Sequence, residues 1–231
     1  MASKTSPTIV LVHGAWADGS SWRRVIPILL SQGLSVVAVQ NPTSSLAADV
    51  AATQVVLAGI DGPVVLVGHS WGGAVITEAG NDPKVQALVY VAAFAPAVGE
   101  TVGDLVGRYP NPPGLEKIGD DGAGNLKLSV EGWLEDVAHD LPEEEARTLA
   151  VLQPPLPGST FAEKVMEAAW TSRPNWYVVS TEDRVVSVDL ERELATRMNA
   201  RTSEVEAGHL SLLSQPEAIA AVIVEAAASL S

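Results

Sequence analysis

The feature that most constrains the fold of this chain is a serine between two glycines, Gly68-His69-Ser70-Trp71-Gly72, flanked by apolar stretches. Residues 64–67 are apolar and mostly β-branched, which predicts a buried strand of a parallel sheet, and residues 74–79 are predicted to be helical. On such a sharp turn the Ser70 hydroxyl leaves the sheet near the positive end of the helix, and the glycines avoid collisions with neighbouring backbone. The alternative is a buried turn that only needs small residues, but the strand–turn–helix context favours a reactive serine.

Composition limits the other possibilities. The chain has 231 residues, of which 47% are apolar, so one α/β domain with a sizeable core is expected. It has no cysteine, which excludes disulfides, thiolate metal sites and a cysteine nucleophile. Its four histidines are not clustered, and we therefore predict no metal site.

Charge and hydropathy bear on partners and location. Fourteen Lys and Arg stand against 28 Asp and Glu, and this formal charge of −14 has the wrong sign for a nucleic-acid groove. No apolar run reaches the length of a membrane span, and residues 1–7 lack the apolar segment of a secretory signal. We expect a cytoplasmic protein whose partner is neither a nucleic acid nor a membrane.

Strand and helix patterns alternate along most of the chain, which is typical of a parallel sheet covered by helices on both faces. The predicted strands are residues 8–12, 36–39, 64–67, 85–93, 175–180 and 202–206, and the predicted helices are residues 22–30, 46–58, 188–198 and 218–230.

This alternation is interrupted between residues 96 and 170. The segment holds eight of the 15 prolines, short helical patterns at 130–139, 142–152 and 161–169, and several large apolar side chains that need a surface to bury against. It carries 14 acidic and five basic residues, a net charge of −9. We predict an inserted, mostly helical cap at 96–170 on a core formed by residues 1–95 and 171–231.

A serine nucleophile needs a general base, and four histidines are candidates. His209 follows the last predicted strand, so it lies at the same sheet edge as Ser70 and is the predicted base. His13 ends the first strand and is expected to support the site, His69 to pack beside the turn, and His139 to be solvated within the cap.

The base in turn needs an acid, which should follow the preceding strand. Glu182 and Asp183 are adjacent there, and we choose Asp183 because it lies one residue deeper in the loop. The resulting order Ser70, Asp183, His209 is the order typical of a strand–turn–helix serine site. The alternative for Asp183 is to cap the helix that follows it.

Acyl transfer also requires donors for a developing oxyanion. The backbone N–H groups of Trp71 and Ala15, in the loops after the third and first strands, are the predicted donors. We choose candidate substrate contacts near these loops and among the large apolar residues of the cap. They are His13, Trp16, Phe94, Trp133, Leu134, Phe161 and Leu210, and further pocket candidates are Leu149 and Leu152.

Three stretches carry a family resemblance: residues 10–16 with Trp22, residues 68–73 and residues 208–216. They are similar to a branch of small esterases within the α/β-hydrolase family, a branch that includes plant methylesterases and hydroxynitrile lyases. Residues 8–22, 64–80, 175–200 and 204–223 resemble the family as a whole. The resemblance covers nearly the whole chain. It implies a cofactor-free hydrolase, a cap over the site and a mainly parallel sheet of about six strands flanked by helices.

One departure from that branch narrows the prediction. The resemblance implies that its lyases carry a threonine after the first-loop histidine and a lysine after the catalytic histidine, whereas this chain has Gly14 and Leu210. The charge that would hold a departing cyanide is missing. We therefore predict a serine hydrolase acting through an acyl-enzyme on small-to-medium, neutral, hydrophobic carboxylic esters, with a ligand-binding receptor or a lyase or cofactor-free oxygenase as alternatives.

Overall fold

The computed structural model describes residues 6–230. The predicted lack of a secretory signal concerns the start of the chain, and residues 1–5 lie outside this range. The strands in chain order are β1 (Thr8–Val12), β2 (Ser35–Ala38), β3 (Val64–His69), β4 (Val85–Val91), β5 (Ile118–Asp120), β6 (Asn125–Leu128), β7 (Leu156–Pro157), β8 (Asn175–Ser180) and β9 (Arg201–Val205). The helices are α1 (Val25–Ser31), α2 (Leu46–Ala58), α3 (Trp71–Ala79), α4 (Val102–Val106), α5 (Val130–Gly132), α6 (Glu143–Val151), α7 (Val188–Arg197), α8 (Ser211–Ser214) and α9 (Pro216–Ala228).

The central sheet has six strands in the order β2-β1-β3-β4-β8-β9, and every neighbouring pair is parallel. This arrangement confirms the predicted six-stranded α/β sheet. Because the strands are parallel, their carboxyl ends meet at one edge. The loops that follow β1, β3, β8 and β9 therefore converge, and these loops contain the predicted site residues.

Strand β3 shows how the apolar pattern builds the core. All six of its residues are buried. Val65 and Val67 point to one hydrophobic cluster, and Val64 and Leu66 point to a second cluster on the opposite face of the sheet. Since successive side chains of a strand alternate between faces, a strand covered on both sides must be apolar at every position.

The insertion, residues 96–170, joins β4 to β8. It contains the short helices α4, α5 and α6 and a three-stranded antiparallel sheet in the order β5-β6-β7, which the sequence patterns did not predict. The helix predicted at 161–169 is wrong, because the backbone there bonds to another segment. Val165 donates to the carbonyl of Glu100 at 3.0 Å and accepts from the amide of Gly99 at 2.8 Å.

Acidic side chains of the insertion connect it to the rest of the chain. Glu145 on α6 bonds to Arg24 at 2.5 Å and also pairs with Arg23. Glu100 pairs with Arg197 of α7 at 2.9 Å. Part of the negative charge of the insertion is therefore used in contacts with arginines of the core. Within residues 6–230, no helix is both long and apolar enough to cross a bilayer.

Candidate active site

Ser70 sits on a strained turn between β3 and α3. Its φ of 53° and ψ of −121° are unusual for a residue with a side chain. The flanking glycines are required by close packing: a Cβ on Gly68 would lie 2.5 Å from the carbonyl oxygen of Gly72, and one on Gly72 would lie 2.6 Å from that of Val12. The turn thus has the tight geometry that the glycine spacing predicts, and it places Ser70 directly before the first residue of a helix.

The structure brings Ser70, His209 and Asp183 into one hydrogen-bonded chain. The Ser70 hydroxyl lies 2.9 Å from Nε2 of His209, and Nδ1 of His209 lies 2.6 Å from Oδ2 of Asp183. All three residues are buried. A carboxylate can only accept, so Nδ1 carries the proton and donates to Asp183, which leaves Nε2 free to accept from the Ser70 hydroxyl.

Asp183 is held rigidly by its own loop. Its second oxygen, Oδ1, accepts from the amides of Val185 at 2.7 Å and Val186 at 2.8 Å. Helix α7 is capped by Ser187 instead, so the alternative assignment of Asp183 as the cap of that helix is not supported. Glu182 is exposed at the surface. The geometry therefore favours Asp183 as the partner of the histidine.

His69 supports the loop that carries His209. Its Nε2 lies 2.8 Å from the backbone carbonyl of His209, and the two rings are 4.8 Å apart. Burial, together with the neighbouring His209, lowers the pKa of His69 well below its ordinary value. His69 is therefore neutral and donates to this carbonyl, in line with its predicted role beside the turn.

His13 is completely buried behind the loop that follows β1. Its Nε2 accepts from the amide of Asn41 and its Nδ1 donates to the carbonyl of Gly14, both at 2.9 Å. Burial lowers the pKa of His13. It does not face the cavity beside Ser70, contrary to its prediction as a substrate contact, because both ring nitrogens are used to hold backbone.

His139, predicted to be solvated, is half-buried and packs against Gly208, the residue before His209. The next residue, Asp140, accepts a hydrogen bond from the amide of Gly208 at 2.8 Å. The insertion therefore contacts the loop that carries the candidate base. This contact could not be predicted from sequence patterns, since the two segments are far apart in the chain.

An apolar cavity of about 330 Å³ opens beside Ser70. Three of the predicted substrate contacts line it, namely Trp16, Phe94 and Phe161. The ring of Phe161 packs edge-to-face against Trp16 at 5.9 Å and against Trp71 at 5.5 Å. Lining residues that the sequence analysis missed are Val102, Gly103, Val106, Asn111, Leu115, Ile118, Leu126 and Val185.

Helix α4 supplies two of these missed residues, and it has a readable start. Thr101 accepts from the amide of Asp104, and the Asp104 side chain accepts from the amide of Thr101, which is a capping box. Val102 and Val106 are spaced four residues apart on that helix and line the cavity together. The capping pattern Thr-x-x-Asp before apolar residues could have identified this helix.

A second, much smaller recess of about 20 Å³ lies on the His209 side of Ser70. Trp133 and Leu210, both predicted substrate contacts, line this recess and not the larger cavity. Leu134 lines neither space and packs against the hydrophobic core instead. Leu149 and Leu152 line another small pocket, which Trp133 and Leu210 also border.

The two predicted oxyanion donors belong to Trp71 and Ala15, residues that border Ser70. Trp71 is the first residue of α3, so its N–H has no acceptor within the helix. Ala15 follows β1, and it lines the cavity together with Ser70 and Trp71. Their role as donors stays a prediction. Residues 6–230 contain no group of three or more His, Cys, Asp or Glu side chains arranged to hold a metal ion.

Comparison with known proteins identifies the family. The sequence model that describes the alpha/beta hydrolase family matches residues 9–222 of this chain. The chain belongs to the alpha/beta hydrolase family. This result confirms the resemblance found from the sequence motifs.

Several relatives of this alpha/beta hydrolase align over almost its full length. It is 28% identical to "Probable hydrolase R7" from Phoma sp. over 96% of this chain and 99% of the relative. It is 27% identical to an alpha-hydroxynitrile lyase from Arabidopsis thaliana over 90% of this chain and 92% of that protein. It is 25% identical to Methylesterase 2 from the same plant over 93% of both chains. The plant methylesterase and hydroxynitrile lyase branch is thus among its relatives.

Solved structures show the same fold. A pyrethroid hydrolase from Sphingobium faniae JZ-2 superposes with a TM-score of 0.81, covering 96% of this chain and 98% of that one at 24% sequence identity.

Proposed function

We propose that this alpha/beta hydrolase is a serine esterase that cleaves small-to-medium, neutral, hydrophobic carboxylic esters through an acyl-enzyme. The observation that carries the proposal is the hydrogen-bonded chain from Ser70 through His209 to Asp183, with bonds of 2.9 and 2.6 Å. A hydroxyl, an imidazole and a buried carboxylate in this order form the arrangement that activates a serine for acyl transfer.

In the acylation step the Ser70 oxygen attacks the ester carbonyl carbon while its proton passes to Nε2 of His209. The carbonyl π electrons move onto oxygen, and the amides of Ala15 and Trp71 are the proposed donors that stabilise that charge. Collapse of the tetrahedral intermediate breaks the bond to the alkoxy group. The departing oxygen takes the proton from His209 and leaves as an alcohol.

Deacylation repeats these steps with water. His209 removes a proton from a water molecule, and the resulting hydroxide attacks the acyl carbon. Ser70 is then expelled and recovers its proton from His209, which releases the carboxylic acid. Asp183 stabilises the imidazolium in both halves of the reaction, and its fixed orientation keeps the correct histidine tautomer throughout.

We assign the two parts of an ester to the two spaces beside Ser70. The leaving oxygen must lie close to Nε2 of His209, and His209 lines the small recess of about 20 Å³. A space of that size holds roughly one water molecule or one methyl group. The acyl group therefore occupies the apolar cavity of about 330 Å³. This assignment favours esters with a small alcohol, and after the alcohol has left the same recess can admit the hydrolytic water.

The names of several relatives support ester hydrolysis, including Methylesterase 2 from Arabidopsis thaliana. The lyase alternative is disfavoured because Leu210, which follows His209, is apolar and buried. The receptor alternative is disfavoured because all three members of the hydrogen-bonded chain are present in bonding geometry.

The test is hydrolysis of a methyl ester of a medium-length aliphatic acid, followed by titration of the acid that is released. We expect turnover by the unmodified protein and a loss of at least about 10⁴-fold in Ser70→Ala. The circular dichroism spectrum of the variant provides the folding control. Near-normal turnover by folded Ser70→Ala would overturn the proposed function.

The recess assignment has its own test. In the unmodified protein, kcat/KM should fall as the alcohol is lengthened from methyl to propyl while the acid is kept constant. Trp133→Leu should widen the recess and improve the propyl ester relative to the methyl ester by about fourfold for each added methylene. Leu134→Ala, a neighbouring residue outside the recess, is the matched control and should leave this ratio unchanged.

A further inference from the structure

Asp49, in the first turn of α2, is a buried carboxylate with no exposed surface. Each of its oxygens accepts one N–H bond: Oδ1 from the amide of Thr43 and Oδ2 from the indole nitrogen of Trp71, both at 2.8 Å. Burying a carboxylate without a cationic partner is costly. The two hydrogen bonds are the interactions that offset this cost.

Trp71 is the contact through which Asp49 reaches the candidate site. It directly follows Ser70, and its backbone N–H is one of the two proposed oxyanion donors. Its ring lines the cavity and packs against Phe161. Only two side-chain torsions separate the indole from the backbone. Fixing the indole nitrogen therefore restricts the peptide unit that carries the amide.

Asp49 also lies where three parts of the chain meet. Thr43, in the loop after β2, has a φ of 52°, which is strained for a residue with a side chain. Glu163 of the insertion accepts from the amide of Leu46 at 3.0 Å, at the start of α2. The third part is the turn at Ser70, reached through Trp71. Movement of any of these parts would be transmitted to the carboxylate.

The charged surroundings of Asp49 are simple. The loop of residues 39–45 has no charged residue, α3 has only Glu78 near its far end, and the insertion contributes Glu163. Burial first, and then the negative charge of Glu163, raise the pKa of Asp49 to about 6. The Asp49 carboxyl therefore changes charge within the pH range in which an esterase is assayed.

We propose that Asp49 is a positioning residue that holds Trp71, and with it the oxyanion-binding amide, in the orientation needed for catalysis. The inference rests on the proposed function. When Asp49 is ionised, both of its oxygens accept from the N–H groups that face them. Protonation removes the negative charge and turns one oxygen into an O–H group, which is a weaker acceptor, so the hold of Asp49 on the two N–H groups is weakened.

The experiment compares Asp49→Asn, Trp71→Phe and the double variant in methyl ester hydrolysis across pH. Asn places an NH₂ group opposite one of the two N–H donors, whereas Phe removes the indole donor and retains an aromatic ring. We expect each single variant to lower kcat by about 10- to 100-fold and to change KM by less than threefold. This loss in kcat is no larger than the loss caused by deleting an oxyanion donor outright. The double variant should be no slower than Trp71→Phe alone, because both changes remove the same interaction.

The pH profile separates positioning from a structural role. Part of the loss of activity of the unmodified protein on the acid side should come from protonation of Asp49, and the activity of Asp49→Asn should lack that component. The matched control is Ser45→Ala, which removes the bond from Ser45 to the amide of Ala48 at the start of the same helix. It should lower the melting temperature and leave kcat and the pH profile unchanged.

Two results would overturn the inference. Asp49→Asn could behave like Ser45→Ala, with a lower melting temperature but normal kcat and an unchanged pH profile. If Asp49→Asn does not fold, Trp71→Phe carries the test, and a normal kcat in that variant would overturn the inference as well. Retained turnover by Ser70→Ala would instead reject the proposed function, so the two failures are distinguishable.

Discussion

Asp140 of the insertion accepts a hydrogen bond from the backbone amide of Gly208 at 2.8 Å, one residue before His209. The bond joins two segments that are 68 residues apart in the chain. It restricts the loop that must keep Nε2 of His209 within bonding distance of Ser70. The insertion thus contributes to the placement of the candidate base as well as to the lining of the cavity.

The first prediction concerns this bond. Asp140→Ala leaves the Gly208 amide without its acceptor, and we expect kcat for a methyl ester to fall about 3- to 10-fold as the His209 loop becomes mobile. Asp140→Asn is the matched control, because its amide oxygen can still accept, and it should retain most of the activity. Equal kcat values for the two variants would show that this contact does not position His209.

The second prediction concerns the choice between two adjacent acids. Asp183→Asn removes the carboxylate that fixes the tautomer of His209, and we expect a loss of about 10⁴-fold in kcat. Glu182→Gln changes an exposed side chain and should cost less than threefold. Steady-state kinetics of both purified variants test the ranking. The reverse ranking would transfer the role of the acid to Glu182.

The third prediction concerns Glu191 on α7, which is fully buried and accepts from the amide of Ser180 at 3.1 Å. Burial first, and then the negative charge of Asp183, raise the pKa of Glu191 well above its ordinary value. The folded protein therefore holds Glu191 in its neutral form. Its contribution to stability is fully present below the ordinary glutamate pKa and is lost as pH rises through the raised pKa.

Glu191→Gln should remove this dependence, because an amide does not ionise. In urea denaturation, we expect the variant and the unmodified protein to have similar free energies of unfolding at low pH and the variant to become the more stable protein at alkaline pH. A constant difference across the pH range would mean that Glu191 is not neutral in the fold.

The fourth prediction concerns substrate charge. The cavity lining is mostly apolar, with Ser70 and Asn111 as polar members, and the insertion around it carries a net charge of −9. We expect kcat/KM for a neutral ester to exceed that for a matched ester with a remote carboxylate, with the difference shrinking at high salt as the field is screened. If the acidic residues serve only solubility and ion pairing, the ratio will not depend on salt. Faster hydrolysis of the anionic ester would contradict the prediction.

The parts of the site that could be predicted from sequence are those fixed by local pattern and by the parallel sheet. The glycines around Ser70 indicated the turn. The positions of Asp183 and His209 after the last two strands indicated that both would reach the same edge. Neither inference required knowledge of distant contacts, because parallel strands bring their carboxyl ends together.

The parts that were missed depend on contacts between distant segments. Strands β5, β6 and β7 have only three, four and two residues, too few to show an alternating pattern. Asp49 in the first turn of a helix has the pattern of a surface acid near the helix dipole, and its bond to Trp71 becomes visible only in three dimensions. The division of the lining between a large cavity and a small recess depends likewise on how the insertion packs.

The backbone conformation of Ser70 lowers the stability of the fold, although the proposed chemistry requires a side chain at this position. A φ of 53° with a ψ of −121° suits glycine, whereas a residue with a side chain in such a conformation costs on the order of 1–3 kcal/mol. Glycine at this position would relieve the strain and partly offset that gain by its greater freedom in the unfolded chain. The same replacement would remove the hydroxyl that lies 2.9 Å from Nε2 of His209. The residue whose hydroxyl the proposed chemistry requires is therefore also one whose backbone conformation destabilises the fold. Variants selected for thermal stability alone would tend to lose activity by replacement of this residue.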